Sequence, residues 1–217
     1  MDSAAPEGLG DEIANAVIQA AGTVLSVIGL VILIRLALLS GGALEVSTVA
    51  VYGGTLVLAF LASALYHAIW HSQAKRILHT VDHCTIYLLI AGTYTPVALL
   101  ALPPDLGWVL VAVVWTVALV GVLLRIVWPR RLHGLRIGLY VALGWLVVAW
   151  GKPVFDGLGP PGAGLLVAGG LAYMVGIVFY RWQRLPFHRP VWHLFVIAGS
   201  ACHFAAIAFY AIPAHAG

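Results

Sequence analysis

Apolar residues run through this chain in long blocks rather than in strict alternation. Seven such blocks, at 13–39, 46–70, 81–102, 106–127, 135–150, 164–180 and 191–212, come close to the roughly 20 residues a helix needs to cross a hydrocarbon core. The fifth and sixth are short and Gly-rich. Backbone groups in lipid must find their partners inside the segment, so each block is predicted to be a helix. The expected fold is therefore all-α: a polytopic membrane protein forming a single seven-transmembrane-helix bundle over residues 1–217, with 1–12 as a short leader. Pro103–Pro104 and the segment 157–164, with Gly159, Pro160, Pro161 and Gly162, are predicted to be turns.

Composition agrees with this reading. Of 217 residues, 62% are hydrophobic and only 9% are charged, and the mean hydropathy is +1.02. A soluble surface needs far more charge. The leader carries Asp2, Glu7, Asp11 and Glu12, which is unlike the basic start of a cleaved signal peptide. Lys75, Arg76, Arg125, Arg130, Arg131, Arg136, Arg181, Arg184 and Arg189 fall at or beside the second, fourth and sixth turns, whereas only Arg35 and Lys152 fall near the other side. Basic residues favour the cytoplasmic side. The N-terminus is thus expected inside, the C-terminus outside, and the chain in the plasma or inner cell membrane. The basic charges sit in separate short turns, so no nucleic-acid partner is expected; membrane lipids are the expected partners, and no partner protein is indicated. Cys84 and Cys202 both lie within apolar blocks, outside any CxxC pair, and read as small buried hydrophobes.

Candidate chemistry concentrates at one end of the bundle. Ser63, His67 and His71 are spaced one helical turn apart near the end of the second block, so they share a face. Asp82 stands at the start of the third block and His193 just inside the seventh. Ionisable residues in membrane spans usually mark a functional site. Two imidazoles and a carboxylate from three helices at one depth suit a first-row metal, zinc above all. Asp82 alternatively serves as an N-cap. His83 is expected to point about 100° away from Asp82, and His79 to be a turn or supporting residue. His203 lies about 15 Å along the helix from His193 and reads as a core polar group.

These residues sit in motifs that resemble the hemolysin III branch of the progestin and adipoQ receptor family. Ser63-Ala-Leu-Tyr-His67 is similar to that family's second-span S-x-x-x-H. Asp82-His83, followed by Ile86-Tyr-Leu-Leu-Ile-Ala-Gly-Thr-Tyr-Thr-Pro96, is similar to its third-span signature. Trp192-His193-Leu-Phe-Val196, Gly199-Ser200 and His203-Phe204 are similar to the seventh, and Glu12-Ile-Ala-Asn15 to the start of the first. The resemblance implies seven spans and a zinc ion near the cytoplasmic face. One histidine of the second span and two of the seventh would hold it, with a third-span aspartate acting through water. This carries over to His67, His193 and Asp82, with Ser63 as a nearby polar residue. Arg189 stands where the seventh-span H-x-x-x-H has its first histidine, so His188 or His71 is the candidate substitute. Gln19 stands where the family often has a first-span histidine.

The function expected on this basis is a zinc-dependent hydrolase acting on a lipid amide or ester, linked to membrane-lipid homeostasis. His67, His193 and His188 would hold zinc, Asp82 would be the base, and Ser63 would bond Asp82 or the developing oxyanion. Thr93, Tyr94 and Thr95 are candidates to line an acyl cavity or to pack helices beside Pro96. The competing readings are a lipid sensor with structural zinc, a cytolytic pore, and a proton-coupled transporter. The spans carry few polar residues to line a pore, and the charges are shallow for a transporter.

Overall fold

The computed structural model describes residues 8–40, 42–128 and 133–216. Leader residues 1–7, the basic pair Arg130 and Arg131, and the side chains of His133 and Arg136 lie outside the described residues. The order is α1 (Leu9–Ser40), α2 (Ala43–Ala68), α3 (Ser72–Ala101), α4 (Pro104–Val127), α5 (His133–Trp145), a 3-10 turn (Leu146–Trp150), α6 (Gly151–Arg181), α7 (His188–Ala206), a π turn (Ile207–Ala211) and α8 (Ile212–Ala216). Among the described residues six helices are long and apolar enough to cross a membrane, so the chain is an all-α polytopic membrane protein.

α1 shows why the chain folds as it does. Its buried residues are Glu12, Asn15, Gln19, Gly22, Ser26, Gly29, Leu33 and Ala37, spaced three and four apart on one stripe. Its exposed residues include Ile13, Val17, Val24, Leu25, Ile28, Val31 and Ile32. The polar side faces protein and the apolar side faces out, as a helix bathed in lipid requires. α1 packs on α2 and α7, α2 on α3, α3 on α4, and α6 on α7. α3 is the central helix: 72% of its apolar window is buried, against 28% for α1 and α4.

Three expectations are corrected. The third helix begins at Ser72 rather than near Val81, because His71 Nδ1 accepts the Ala74 N–H at 3.5 Å and caps it. Lys75, Arg76 and His79 are therefore helical, and Asp82 stands in the third turn, where it cannot be an N-cap. The seventh helix begins at His188, after Phe187 in a left-handed conformation (φ 56°).

The third correction concerns the expected fifth and sixth spans. The described residues hold six candidate spans rather than seven, because Ile137–Arg181 form one 45-residue helical run. Gly159 breaks this run, with φ 66° and ψ 171°, a conformation natural to glycine. Before the break the run follows α3: the Tyr140 hydroxyl donates to the His83 carbonyl (3.0 Å) and the Tyr94 hydroxyl to the Leu143 carbonyl (3.0 Å). Gly157 then abuts Ala101. After the break it follows α7 backwards, with Gly162 against Tyr210, Gly169 against His203 and Gly176 against Trp192. Pro103 and Pro104 do form the tight link into α4, as the N-cap and first residue.

Close backbone approach makes one glycine a test of this packing. A Cβ at Gly107 would strike the backbone carbonyl of Ala98, whereas one at Gly164 meets open space. Gly107→Ala is expected to destabilise by about 1–3 kcal/mol, read as a lower melting temperature in detergent, with Gly164→Ala unchanged.

Candidate functional site

Four helices bring polar side chains together at the end where α2 meets α3. From α2, His67 and Ser63 point inwards, both buried. From α7 comes His193, also buried. From α1 come Glu12, one turn into the helix, and Gln19, two turns further on. Glu12 Oε2 accepts from His67 Nδ1 at 2.8 Å, and its other oxygen accepts from Lys75 Nζ at 2.6 Å. Gln19 Nε2 lies 2.8 Å from both Ser63 Oγ and His193 Nδ1. Asp82, on α3, faces Ser63 within side-chain hydrogen-bonding reach, and the charge of Arg189 is felt at Asp82, His67 and His193 alike.

The two imidazoles meet edge to face, with ring centroids 5.3 Å apart and Nε2 atoms 3.4 Å apart. That separation is long for a hydrogen bond. Two nitrogens bound about 2.0–2.1 Å from a tetrahedral zinc stand about 3.4 Å apart, so the pair fits two positions of such a site. Glu12 on His67 Nδ1 supplies the outer hydrogen bond that metal-ligating histidines usually have. Gln19 can do the same for His193 once its oxygen faces Nδ1–H. With nitrogen facing the ring instead, Gln19 Oε1 is left buried without a partner. Among the described residues no group of three His, Cys, Asp or Glu side chains converges closely enough to hold an ion. The arrangement thus offers two nitrogen ligands, with Asp82 beside them.

The other expected residues are placed as follows. His188 Nδ1 faces the Tyr180 carbonyl at 3.2 Å and does not line the cavity described below. His71 caps α3. His79 Nδ1 pairs with Arg125 Nη2 at 3.0 Å, and its ring packs on His83 and Tyr66. His83 Nδ1 donates to the His79 carbonyl (2.9 Å) and stands 3.6 Å from Asp82. His203 lies deeper, bonded to the Leu166 carbonyl at 3.2 Å.

A cavity of about 240 Å³ opens from the site. His67, Asp82, Arg189 and His193 stand at one end, and apolar side chains of α3, α5, α6 and α7 carry it as far as Val97 and His203. From Asp82 to Val97 the wall is about 22 Å long. Thr93 and Tyr94 line it, whereas Thr95 bonds the Ala91 carbonyl and accepts from Trp115 Nε1, so it packs helices.

The family model described as haemolysin-III related matches residues 8–204. This chain belongs to the haemolysin III-related family. It is 42% identical over 203 residues to "Hemolysin-3" of Bacillus cereus, covering 94% of this chain and 93% of that protein. It is 41% identical over 202 residues to the "Hemolysin-3 homolog" of Bacillus subtilis (strain 168), covering 93% and 95%. The human "Monocyte to macrophage differentiation factor" is 30% identical over 183 residues, covering 78% of this chain and 72% of the human protein.

In this family member the first helix contributes more than its sequence motif suggested. Glu12 bonds the His67 ring and Gln19 the His193 ring, roles that the motif alone does not assign. The signal was present in the three-and-four spacing of Glu12, Asn15, Gln19 and Ser26 along an otherwise apolar helix. Glu12→Ala leaves His67 Nδ1 and Lys75 without their acceptor. It is expected to cost about 1–3 kcal/mol, measured by thermal unfolding in detergent. Lys75→Ala removes a more exposed partner and should cost less.

Proposed function

We propose that this chain is an integral-membrane hydrolase that cleaves a lipid amide or ester with the help of a zinc ion held by His67 and His193. The observation that supports this reading is the 3.4 Å separation of the two facing Nε2 atoms, each ring fixed from behind by α1, at the mouth of an acyl-sized cavity. His67 and His193 would hold the ion, which would polarise a carbonyl and lower the pKa of a bound water to about 7.

The chain's own groups would supply the remaining work. The apolar wall from Leu89 to Val97 takes the acyl chain and excludes water from it. Asp82, at hydrogen-bonding reach of Ser63, accepts the proton of the attacking water as general base and returns it to the leaving nitrogen or oxygen. Ser63 orients that carboxylate. Glu12 keeps the His67 ring in the tautomer whose Nε2 carries a lone pair.

The same reading gives the membrane arrangement. We propose seven crossings, since a 45-residue run of about 67 Å is twice the hydrocarbon thickness and reverses at Gly159. Lys75, Arg76, Arg125, Arg181, Arg184 and Arg189 then lie on the cytoplasmic side with the site. In a variant without the native cysteines, Asp156→Cys should react with an impermeant thiol reagent on intact cells and Arg184→Cys should not; the opposite pattern would invert the topology.

Purified protein is expected to carry about one zinc per chain, and His67→Ala to lose most of it. Asp82→Asn should keep the metal while turnover of an acyl amide or ester falls on the order of 100-fold or more. Full metal content in His67→Ala, measured by atomic emission, would remove the basis of this reading.

A further inference from the structure

The far end of the cavity holds a histidine that the proposed reaction does not use. His203 follows His193 on α7 at about 15 Å along the axis, and it lines the cavity together with Tyr173 of α6. Its Nε2 lies 3.2 Å from the Leu166 carbonyl. A carbonyl only accepts, so Nε2 carries a proton. Charge this deep in a membrane bundle is costly, so the ring is neutral and Nδ1 holds a lone pair.

The ring is held in this orientation. Its Cδ2–Nε2 edge lies so close to α6 that a Cβ at Gly169 would strike both atoms. Tyr173 packs against it, with ring centroids 5.5 Å apart and planes at 61°, and the Tyr173 hydroxyl is joined to Ser200 Oγ at 2.9 Å. The opposite edge, with Nδ1, is turned away from α6. Among the described residues no donor meets Nδ1, and it is not one of the sealed polar atoms left without a partner. Thr93 and Tyr94, which line the α3 wall, spend their hydroxyl protons on the Leu89 and Leu143 carbonyls. A polar atom inside a bundle is normally hydrogen-bonded, and here the donor is left for the occupant of the cavity to bring.

We propose that this end of the cavity binds a hydroxyl carried on the hydrocarbon chain, which donates to His203 Nδ1, so that the site recognises hydroxylated acyl chains. A ketone, an ester or a carboxylate has no proton to give and cannot take the place of the alcohol. The separation of the two ends sets where the hydroxyl stands. With the head at the His67–His193 pair, an extended chain advancing about 1.25 Å per carbon–carbon bond covers 15 Å in about 12 bonds. A hydroxyl near the twelfth carbon therefore reaches Nδ1, and one beside the head does not. Without the histidine, the same hydroxyl is stranded against an apolar wall, which is costly. The placement of the head rests on the hydrolase reading above. The capture of the hydroxyl rests on His203 and the cavity.

Equilibrium binding reads this without turnover. Tritium-labelled dodecanoic, 12-hydroxydodecanoic and 2-hydroxydodecanoic acids are bound to the purified protein in one nonionic detergent, so that partition into micelles cancels between variants. In His203→Phe, which keeps a ring but no lone pair, the affinity for the 12-hydroxy acid relative to dodecanoic acid is expected to fall on the order of 10-fold. The smaller His203→Leu should show the same fall. The relative affinity for the 2-hydroxy acid should stay within about twofold in both. His203→Asn, whose Oδ1 stands where Nδ1 did, should keep most of the affinity for the 12-hydroxy acid. Dodecanoic acid itself should bind every variant within about twofold, a check that they are folded. An unchanged 12-hydroxy ratio in His203→Phe or His203→Leu would overturn the proposal. So would an equal fall for the 2-hydroxy acid, or a loss in His203→Asn as large as in His203→Phe. Absence of zinc or of turnover would remove the hydrolase reading and leave these ratios in place.

Discussion

A carboxylate buried at the end of a membrane helix survives only if donors hold it, and Glu12 is held from two sides. Lys75 reaches it from α3 at 2.6 Å and His67 from α2 at 2.8 Å. One residue thus ties three helices together. Burial of such a pair is not in itself strong evidence for stability, since desolvation consumes much of the Coulombic gain. Its value is in specification. α1 cannot rotate about its axis without stranding Glu12 in lipid, and with Glu12 fixed, Gln19 two turns on is fixed as well. Gln19 meets Ser63 on α2 and His193 on α7, so the register of α1 sets the mutual position of the two imidazoles.

The second constraint comes from α3. Because the helix starts at Ser72, the turn from α2 is only a few residues long, and Asp82 is carried inwards by about 15 Å of helix rather than left at the rim. Further along α3, Tyr94 stands against the end of α5 and the 3-10 turn after it, where its hydroxyl donates to the Leu143 carbonyl and accepts the Val147 N–H at 2.7 Å. These contacts hold α5 to the far wall, and the space between α3, α5, α6 and α7 becomes the cavity. Site and tunnel are consequences of one helix being a few turns longer than its apolar block.

That length was not legible from hydropathy, and the reason is physical. Residues 72–80 contain Lys75, Arg76 and His79, which interrupt an apolar block but are good enough helix residues once His71 caps them and Glu12 and Arg125 engage them. Apolar blocks mark where lipid is, not where helices end. The same limit applies to residues 137–181. Gly159, Pro160 and Pro161 mark a turn in the sequence, and a single glycine at positive φ suffices to make it, so helix continues on both sides. The histidines and the aspartate were legible from their clustering and from the motifs that contain them. The role of Glu12 is hidden in the sequence, because an acidic residue near a terminus looks like leader until the stripe through Asn15, Gln19 and Ser26 is placed on one face. His188 is adjacent to Arg189 in sequence, but as the first residue of α7 it turns to the Tyr180 carbonyl.

The charges at this end bear on what the site can accept. Glu12 and Asp82 are matched by Lys75 and Arg189, so the cluster is near neutral before any ion or ligand enters. Lys75 is committed to Glu12 across α1, which leaves Arg189 and Asp82 as the pair facing the cavity. A divalent cation placed between His67 and His193 would therefore give the site an excess of positive charge in a low-polarity surrounding, where uncompensated charge is most costly. A third histidine in place of Arg189 would have left a single positive charge fewer to balance.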